Sequence, residues 1–147
     1  TAFTYDGLSR RLTVRGAIAT NLETVSYTCY DKDGRIERFI QSWQNSGVSP
    51  DAKDMNGDWL FNPTYHGSHN DLNLISQYSH DLVGRRLTST DPAGNTTTVS
   101  YFRDGQIATQ TDTEGTVTLY RYDGMRRRVL VVQGLPSSHG SPSGLLA

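Results

Sequence analysis

Asp54-Met55-Asn56-Gly57-Asp58 places three oxygen-bearing side chains at alternate positions around a glycine. Calcium takes about six to eight hard oxygen ligands and tolerates irregular loops. Asp54, Asn56 and Asp58, completed by Asp71, by Asp51 or by a carbonyl, therefore form a candidate calcium site. The pattern departs from a helix-loop-helix calcium loop, because counting Asp54 as the first position makes Tyr65 the twelfth, where that loop needs a bidentate glutamate. The same five residues also describe an Asx-rich turn whose side chains bind their own backbone.

His66-Gly67-Ser68-His69, with His80, offers a second arrangement. Catalytic zinc uses three protein ligands and keeps a position open for water, although Gly67 works against the helix on which paired histidines usually converge. Beside a cation of either kind, His66 or His69 would act as general base while the ion polarises a carbonyl and acidifies its water. That is the chemistry of a small metal-dependent hydrolase. Esters or lactones suit it, since they need less activation than amides, and Trp59 and Phe61 could hold an acyl chain. Ser68 with one histidine and Asp71 can be drawn as a triad, but no Gly-x-Ser-x-Gly elbow surrounds it. Trp43, Trp59, Phe61 and Tyr65 equally suit a packed core. Cys29 follows Val25 and Tyr27 at strand spacing and reads as a small buried residue; as the single cysteine it excludes an internal disulfide.

These candidates fall in residues 51–81, which hold three of the four histidines, His66, His69 and His80. Loops on a rigid sheet are where functional side chains concentrate. Around this stretch the chain is repetitive. Asp91-Pro92-Ala93-Gly94 is answered by Asp112-Thr113-Glu114-Gly115, Gly84 by Gly105 and Tyr101 by Tyr122, each 21 residues on. A period near twenty is one supersecondary element that needs its neighbours. Runs 96–101 and 116–122 are β-branched and aromatic, with Val117 and Leu119 alternating against Thr118 and Tyr120, so they read as strands with one buried face. Asp- and Gly-bearing turns join them. The expected fold is all-β, with antiparallel β-hairpin repeats forming one curved sheet or half-open barrel.

The same logic extends toward the start of the chain. A strand is expected around Leu12-Thr13-Val14, a break at Gly16, and another strand over 25–30. Ile36, Phe39, Ile40 and Trp43 stand at helical spacing where the repeat calls for a strand, and a strand is expected. From Tyr30 to Tyr78 the chain runs 48 residues, about twice the period, so a repeat has decayed there or a loop has replaced it. The organisation is a β domain over 1–132 with an irregular segment at 45–81, followed by a Ser/Gly/Pro-rich tail over 133–147.

Tyr5-Asp6-Gly7-Leu8-Ser9-Arg10, Tyr30-Asp31-Lys32-Asp33-Gly34-Arg35-Ile36 and Tyr122-Asp123-Gly124-Met125-Arg126-Arg127 resemble the Tyr-Asp (YD, or Rhs) repeat. So does the longer run 84–97, from Gly84-Arg85-Arg86-Leu87 through Asp91-Pro92-Ala93-Gly94 to Thr97. The resemblance covers roughly residues 1–40 and 78–132. It implies a section of the sheet that, in bacterial polymorphic toxins, insecticidal toxin complexes and teneurins, winds into a shell around a cargo or plug. The function it implies is a scaffold presenting or binding a partner, and the parent family is often secreted or on the cell surface. A metal-dependent hydrolase of esters or lactones, sited in residues 51–81, is the alternative.

Composition bounds both readings. The chain of 147 residues has a net charge of −1, which gives no long-range attraction to nucleic acid or to an anionic membrane. No apolar run approaches the roughly 20 residues that span a bilayer as a helix, and no leader segment is visible at Thr1. Arg10-Arg11, Arg85-Arg86 and Arg126-Arg127-Arg128 recur beside the Asp turns, which predicts local pairing. An open sheet leaves unpaired edges. Self-association through those edges, or the Leu145-Leu146 end folding back, is expected to cover them.

Overall fold

The computed structural model describes residues 1–16, 24–43, 49–61 and 73–135. Among them no helix forms and ten strands do: β1 (Ala2–Tyr5), β2 (Arg11–Gly16), β3 (Thr24–Tyr30), β4 (Ile36–Gln41), β5 (Leu74–His80), β6 (Arg86–Thr90), β7 (Thr96–Tyr101), β8 (Ile107–Thr111), β9 (Val117–Tyr122) and β10 (Arg128–Leu135). They pair antiparallel in chain order within one sheet whose terminal strands are β1 and β10. Ile36–Gln41 is a strand despite its helical spacing. Two neighbours supply its ladder: Tyr27 faces Ile40 on one side, and Ile75 faces Ile40 on the other.

The chain divides into two compact units. The first comprises Thr1–Tyr78 with Asp91–Ala93. Its core is Tyr27 and Cys29 of β3, Ile40 of β4 and Phe61, with Leu12, Trp43, Trp59 and Ile75 packed against them. Tyr27 and Cys29 are two apart on β3, and their partners Ile40 and Arg38 are two apart on β4, so the pleat aims all four at one face. Residues 49–61 supply Phe61 to that face. Burying a side chain of this size is worth about 1.5–3 kcal/mol, so the segment helps to hold the sheet.

The second unit comprises Ser79–Thr90 with Gly94–Ala147. Val117 and Leu119 are buried, as the alternation in β9 predicts, and lie opposite Thr111 and Thr109 of β8. The strand β10 runs to Leu135, three residues past the expected boundary at 132. Its register shifts between Gln133 and Leu135, around Gly134 at φ 85°, which is the left-handed residue of a bulge. Likewise β5 restores the repeat from Leu74, inside the stretch expected to be irregular.

One turn geometry recurs through both units. In the first copy the Asp6 amide donates to the Arg10 carbonyl and the Ser9 amide to the Asp6 carbonyl. Asp6 Oδ1 accepts the amides of Leu8 and Arg10, and Arg10 Nε donates to Asp6 Oδ2 at 2.6 Å. The sets Asp31/Arg35, Asp81/Arg85 and Asp123/Arg127 repeat every one of these bonds. One arginine of each cluster, Arg10, Arg85 and Arg127, is thus paired within its own turn. The fourth residue of the turn takes positive φ. It is glycine at Gly34, Gly84, Gly105 and Gly115, but Ser9 (φ 60°) and Arg126 (φ 64°) in the outermost turns.

Candidate functional site

Asp54-Met55-Asn56-Gly57-Asp58 adopts this same turn. The Asp54 amide donates to the Asp58 carbonyl, the Gly57 amide donates to the Asp54 carbonyl, and Asp54 Oδ1 accepts the amides of Asn56 at 2.8 Å and Asp58 at 2.9 Å. Lys53 and Trp59 form the antiparallel bridge that flanks it. The stretch that breaks the period therefore retains a repeat turn with one pair of bridging residues in place of full strands. Hydrogen bonds from the amides of Asp58 and Asn56 outweigh desolvation and hold the Asp54 carboxyl below its ordinary 3.8. The side chains of Asn56 and Asp58 are exposed, and among the described residues no three His, Cys, Asp or Glu side chains gather at one point. His66, His69, Ser68, Tyr65 and Asp71 lie outside the described residues. His80 ends β5, immediately before the Asp81 turn.

The turn is docked on β3 and β4 by a polar cluster centred on Arg38. Cys29 and Arg38 are cross-strand partners. Of the four other pairs at this place, nine residues apart as these are, three carry hydroxyls in contact at 2.6 Å: Thr4 with Thr13, Ser79 with Thr88 and Ser100 with Thr109. The β9–β10 hairpin has Arg121 opposite Leu130 there, and the β3–β4 hairpin has a thiol and a guanidinium. Arg38 is fully buried, and its Nη1 donates to the Phe61 carbonyl at 2.5 Å. Its guanidinium lies 4.8 Å from the Trp59 ring centre, with Lys53 Nζ at 4.1 Å from the same ring. Lys53 in turn pairs with Glu37 at 2.7 Å. Cys29 Sγ donates to the Pro50 carbonyl at 3.5 Å, and burial pushes its thiol up to about 12. A thiol held protonated is a poor nucleophile at neutral pH. Trp59 and Phe61, which could have lined an acyl pocket, are engaged here as packing. Arg38 is the residue sequence reasoning missed. Its signal was spacing, since it alternates with Ile36 and Ile40 on a strand with one buried face.

A second constellation links successive turns within each unit. Arg10 Nη1 donates to the Asp31 carbonyl at 3.4 Å, its guanidinium lies 4.7 Å from the Tyr30 ring centre, and the Tyr30 hydroxyl donates to the Arg11 carbonyl at 2.9 Å. In the second unit Arg85 Nη1 donates to the Phe102 carbonyl at 3.0 Å, lies 4.6 Å from the Tyr101 ring, and the Tyr101 hydroxyl donates to the Arg86 carbonyl at 3.0 Å. Gln106 continues the ladder by donating to the Arg126 carbonyl at 2.9 Å. The tyrosine and the arginine of the repeat thus act between hairpins, and the aspartate within one.

Residues 103–137 match the RHS Repeat family model. No curated protein matches. Among solved structures the chain is similar to that titled TcdB2-TccC3-Cdc42, with 13% identity, a TM-score of 0.36 and 89% of this chain against 9% of that one. It is also similar to TcdB2-TccC3, with 13% identity, a TM-score of 0.24 and 92% of this chain against 10% of the other. The Photorhabdus luminescens Tc holotoxin pore with a substituted TccC3 gives 13% identity, a TM-score of 0.26 and 92% against 10%. The chain spans about a tenth of the length of these chains.

Proposed function

We propose, from the RHS Repeat match over residues 103–137, that the chain is a section of β-sheet wall that presents or borders a partner polypeptide. The observation that supports this is the ladder from turn to turn, Arg10 to Asp31 and Arg85 to Phe102, which joins hairpins along one margin of the sheet within each unit. Such a ladder stiffens a surface and leaves the broad faces to meet something else. Residues 49–61 serve that surface as a clasp: their turn is a repeat turn, and Arg38 and Trp59 fasten it to the sheet.

The competing chemistry is tested directly. The purified chain is assayed for metal content and against a panel of esters and lactones, with calcium, with zinc and with chelator. A scaffold gives no turnover above background in any condition. Hydrolysis that chelator abolishes, and that Asp54→Ala/Asp58→Ala or His66→Ala also abolishes, would overturn the scaffold reading in favour of a metal-dependent hydrolase.

A further inference from the structure

Two positions of the period change together in the turn between β7 and β8, and a cavity opens where they do. Asp81, Phe102 and Asp123 stand 21 residues apart, as do Arg85, Gln106 and Arg127. Residues 102–106 close the same backbone turn as the others, the Phe102 amide donating to the Gln106 carbonyl and the Gly105 amide to the Phe102 carbonyl. They do so without the aspartate and the arginine. In the links described above, Arg10 lies over Tyr30 and Arg85 over Tyr101, and each guanidinium donates to the carbonyl of the residue after that tyrosine. The corresponding ring in the next link of the second unit is Tyr122, and the corresponding carbonyl is that of Asp123. Gln106 is too short to carry a guanidinium there and donates instead to the Arg126 carbonyl at 2.9 Å. The Asp123 carbonyl accepts the Arg126 amide and, among the described residues, no side-chain donor, although a carbonyl has two lone pairs. Phe102, Gln106, Tyr122 and Asp123, the four positions that surround the guanidinium in the other links, here line a cavity of about 420 Å³.

The lining suits a planar cation. Phe102 and Tyr122 meet at 90° with centroids 6.2 Å apart, so the two rings form a corner whose π faces attract positive charge. Asp104, also in the lining, occupies the place in its turn that Asp33 occupies in its own, and Asp33 Oδ2 accepts Arg35 Nη2 at 2.7 Å. A carboxylate at that place therefore reaches a guanidinium of the kind that Gln106 lacks. Asp104 Oδ1 accepts the Gln106 amide at 3.2 Å, and its second oxygen has no partner among the described residues. Arg103 and Arg121 complete the lining; Arg103 is exposed, and Arg121 is already partnered.

We propose that this cavity receives an arginine side chain of the partner polypeptide that the sheet borders. Its guanidinium lies over Tyr122 and donates to the Asp123 carbonyl and the Asp104 carboxylate, as the chain's own arginines do to a ring, a carbonyl and a carboxylate in the other links. Arginine suits the place better than lysine, because a guanidinium stacks on a ring and donates in two directions at once. The proposal rests on the wall reading for the partner, and on the cavity alone for the chemistry bound.

The test is an NMR titration of the full 147-residue chain with N-acetylarginine methylamide and with its citrulline analogue, a neutral isostere. The arginine probe is expected to give saturable shifts confined to the amides of residues 102–106 and 121–123, and the citrulline probe to bind about tenfold more weakly. Asp104→Asn should weaken the arginine probe by about the same factor. Gln106→Arg supplies the guanidinium from within, so it should abolish binding and raise the melting temperature; if it loses its β-sheet circular dichroism, Gln106→Lys replaces it under the binding criterion. The absence of saturable shifts overturns the proposal, as do equal binding of citrulline and arginine binding that survives Gln106→Arg. Acetate or phosphate shifting these amides while the arginine probe does not also overturns it, and assigns the cavity to an anion held by Arg103 and Arg121. Turnover in the ester and lactone panel overturns the wall reading whatever the cavity binds, whereas no turnover there and no arginine binding here overturns this inference alone.

Discussion

Cys29 and Arg38 face each other across β3 and β4 at the position where three other hairpins carry a pair of hydroxyls. The replacement alters what the sheet face can hold. A hydroxyl pair satisfies itself, whereas a thiol and a guanidinium both reach outward, to the carbonyls of Pro50 and Phe61. Both acceptors belong to residues 49–61, so this departure from the hydroxyl pair and the interruption of the period are two sides of one contact.

Arg38→Ala is therefore expected to lower unfolding free energy by roughly 2–3 kcal/mol, since it strands the Phe61 carbonyl and removes the surface on which Trp59 lies. The double change Cys29→Thr/Arg38→Thr restores the hydroxyl pair. It should leave the β-sheet circular dichroism intact while the amides of residues 49–61 exchange with solvent much faster. Unchanged exchange there would show that the cluster does not hold the segment.

Much of this was legible in the residues. The alternation of Val117 and Leu119, the Asp/Gly turns and the 21-residue offset require only local chemistry, and they describe the strands and turns that form. The fate of residues 51–61 was not legible, because Asp54-Met55-Asn56-Gly57-Asp58 satisfies a calcium pattern and an Asx turn equally well. What distinguishes the turn is the amides on Asp54 Oδ1 and the bridge between Lys53 and Trp59. Cys29 and Arg38 could be recognised as a substituted pair only once the register of β3 against β4 was known. Gly7 and Gly124, prominent in the Tyr-Asp-Gly motifs, are also misleading, for the left-handed residues are Ser9 and Arg126 two positions later.

That displacement gives a second expectation. An L-residue in the left-handed region costs about 1–2 kcal/mol relative to glycine, and part of this is returned by the greater freedom of glycine in the unfolded chain. Ser9→Gly and Arg126→Gly should each stabilise by roughly 0.5–1 kcal/mol in denaturant titrations. Gly84→Ala, at φ 89°, should do the opposite. Destabilisation by both glycine changes would mean that these side chains have contacts beyond their turns.

Acid should loosen the same turns. Partial burial works to raise the Asp6, Asp31 and Asp81 carboxyls, but hydrogen bonds from the arginine amide and guanidinium and from a second amide outweigh it; for Asp123 the Arg127 bonds dominate outright. All four lie below the ordinary 3.8. Because the folded values are depressed, the unfolded chain binds more protons in acid. The stability these groups contribute is full above the unfolded value and is lost as pH falls through the folded ones. Denaturant midpoints should hold steady from about pH 7 to pH 5 and drop below about pH 4. The drop should shrink in an Asp6→Asn/Asp81→Asn/Asp123→Asn variant, and a profile as steep as wild type would assign it to other carboxylates.

Asp54 separates turn chemistry from ion chemistry most sharply. Its Oδ1 already accepts two backbone amides, so Asp54→Ala strands both whether or not a cation is present. A loss of stability is expected, as for any side-chain oxygen that closes a turn. The same loss should appear in calcium and in chelator, and wild type should melt at the same temperature in both. A ligand that binds only the folded state raises stability with its concentration. A wild-type melting temperature that climbs with calcium, and an Asp54→Ala penalty seen only when calcium is present, would therefore make Asp54, Asn56 and Asp58 ligands. Asp71→Ala would then be expected to reduce the calcium response in turn.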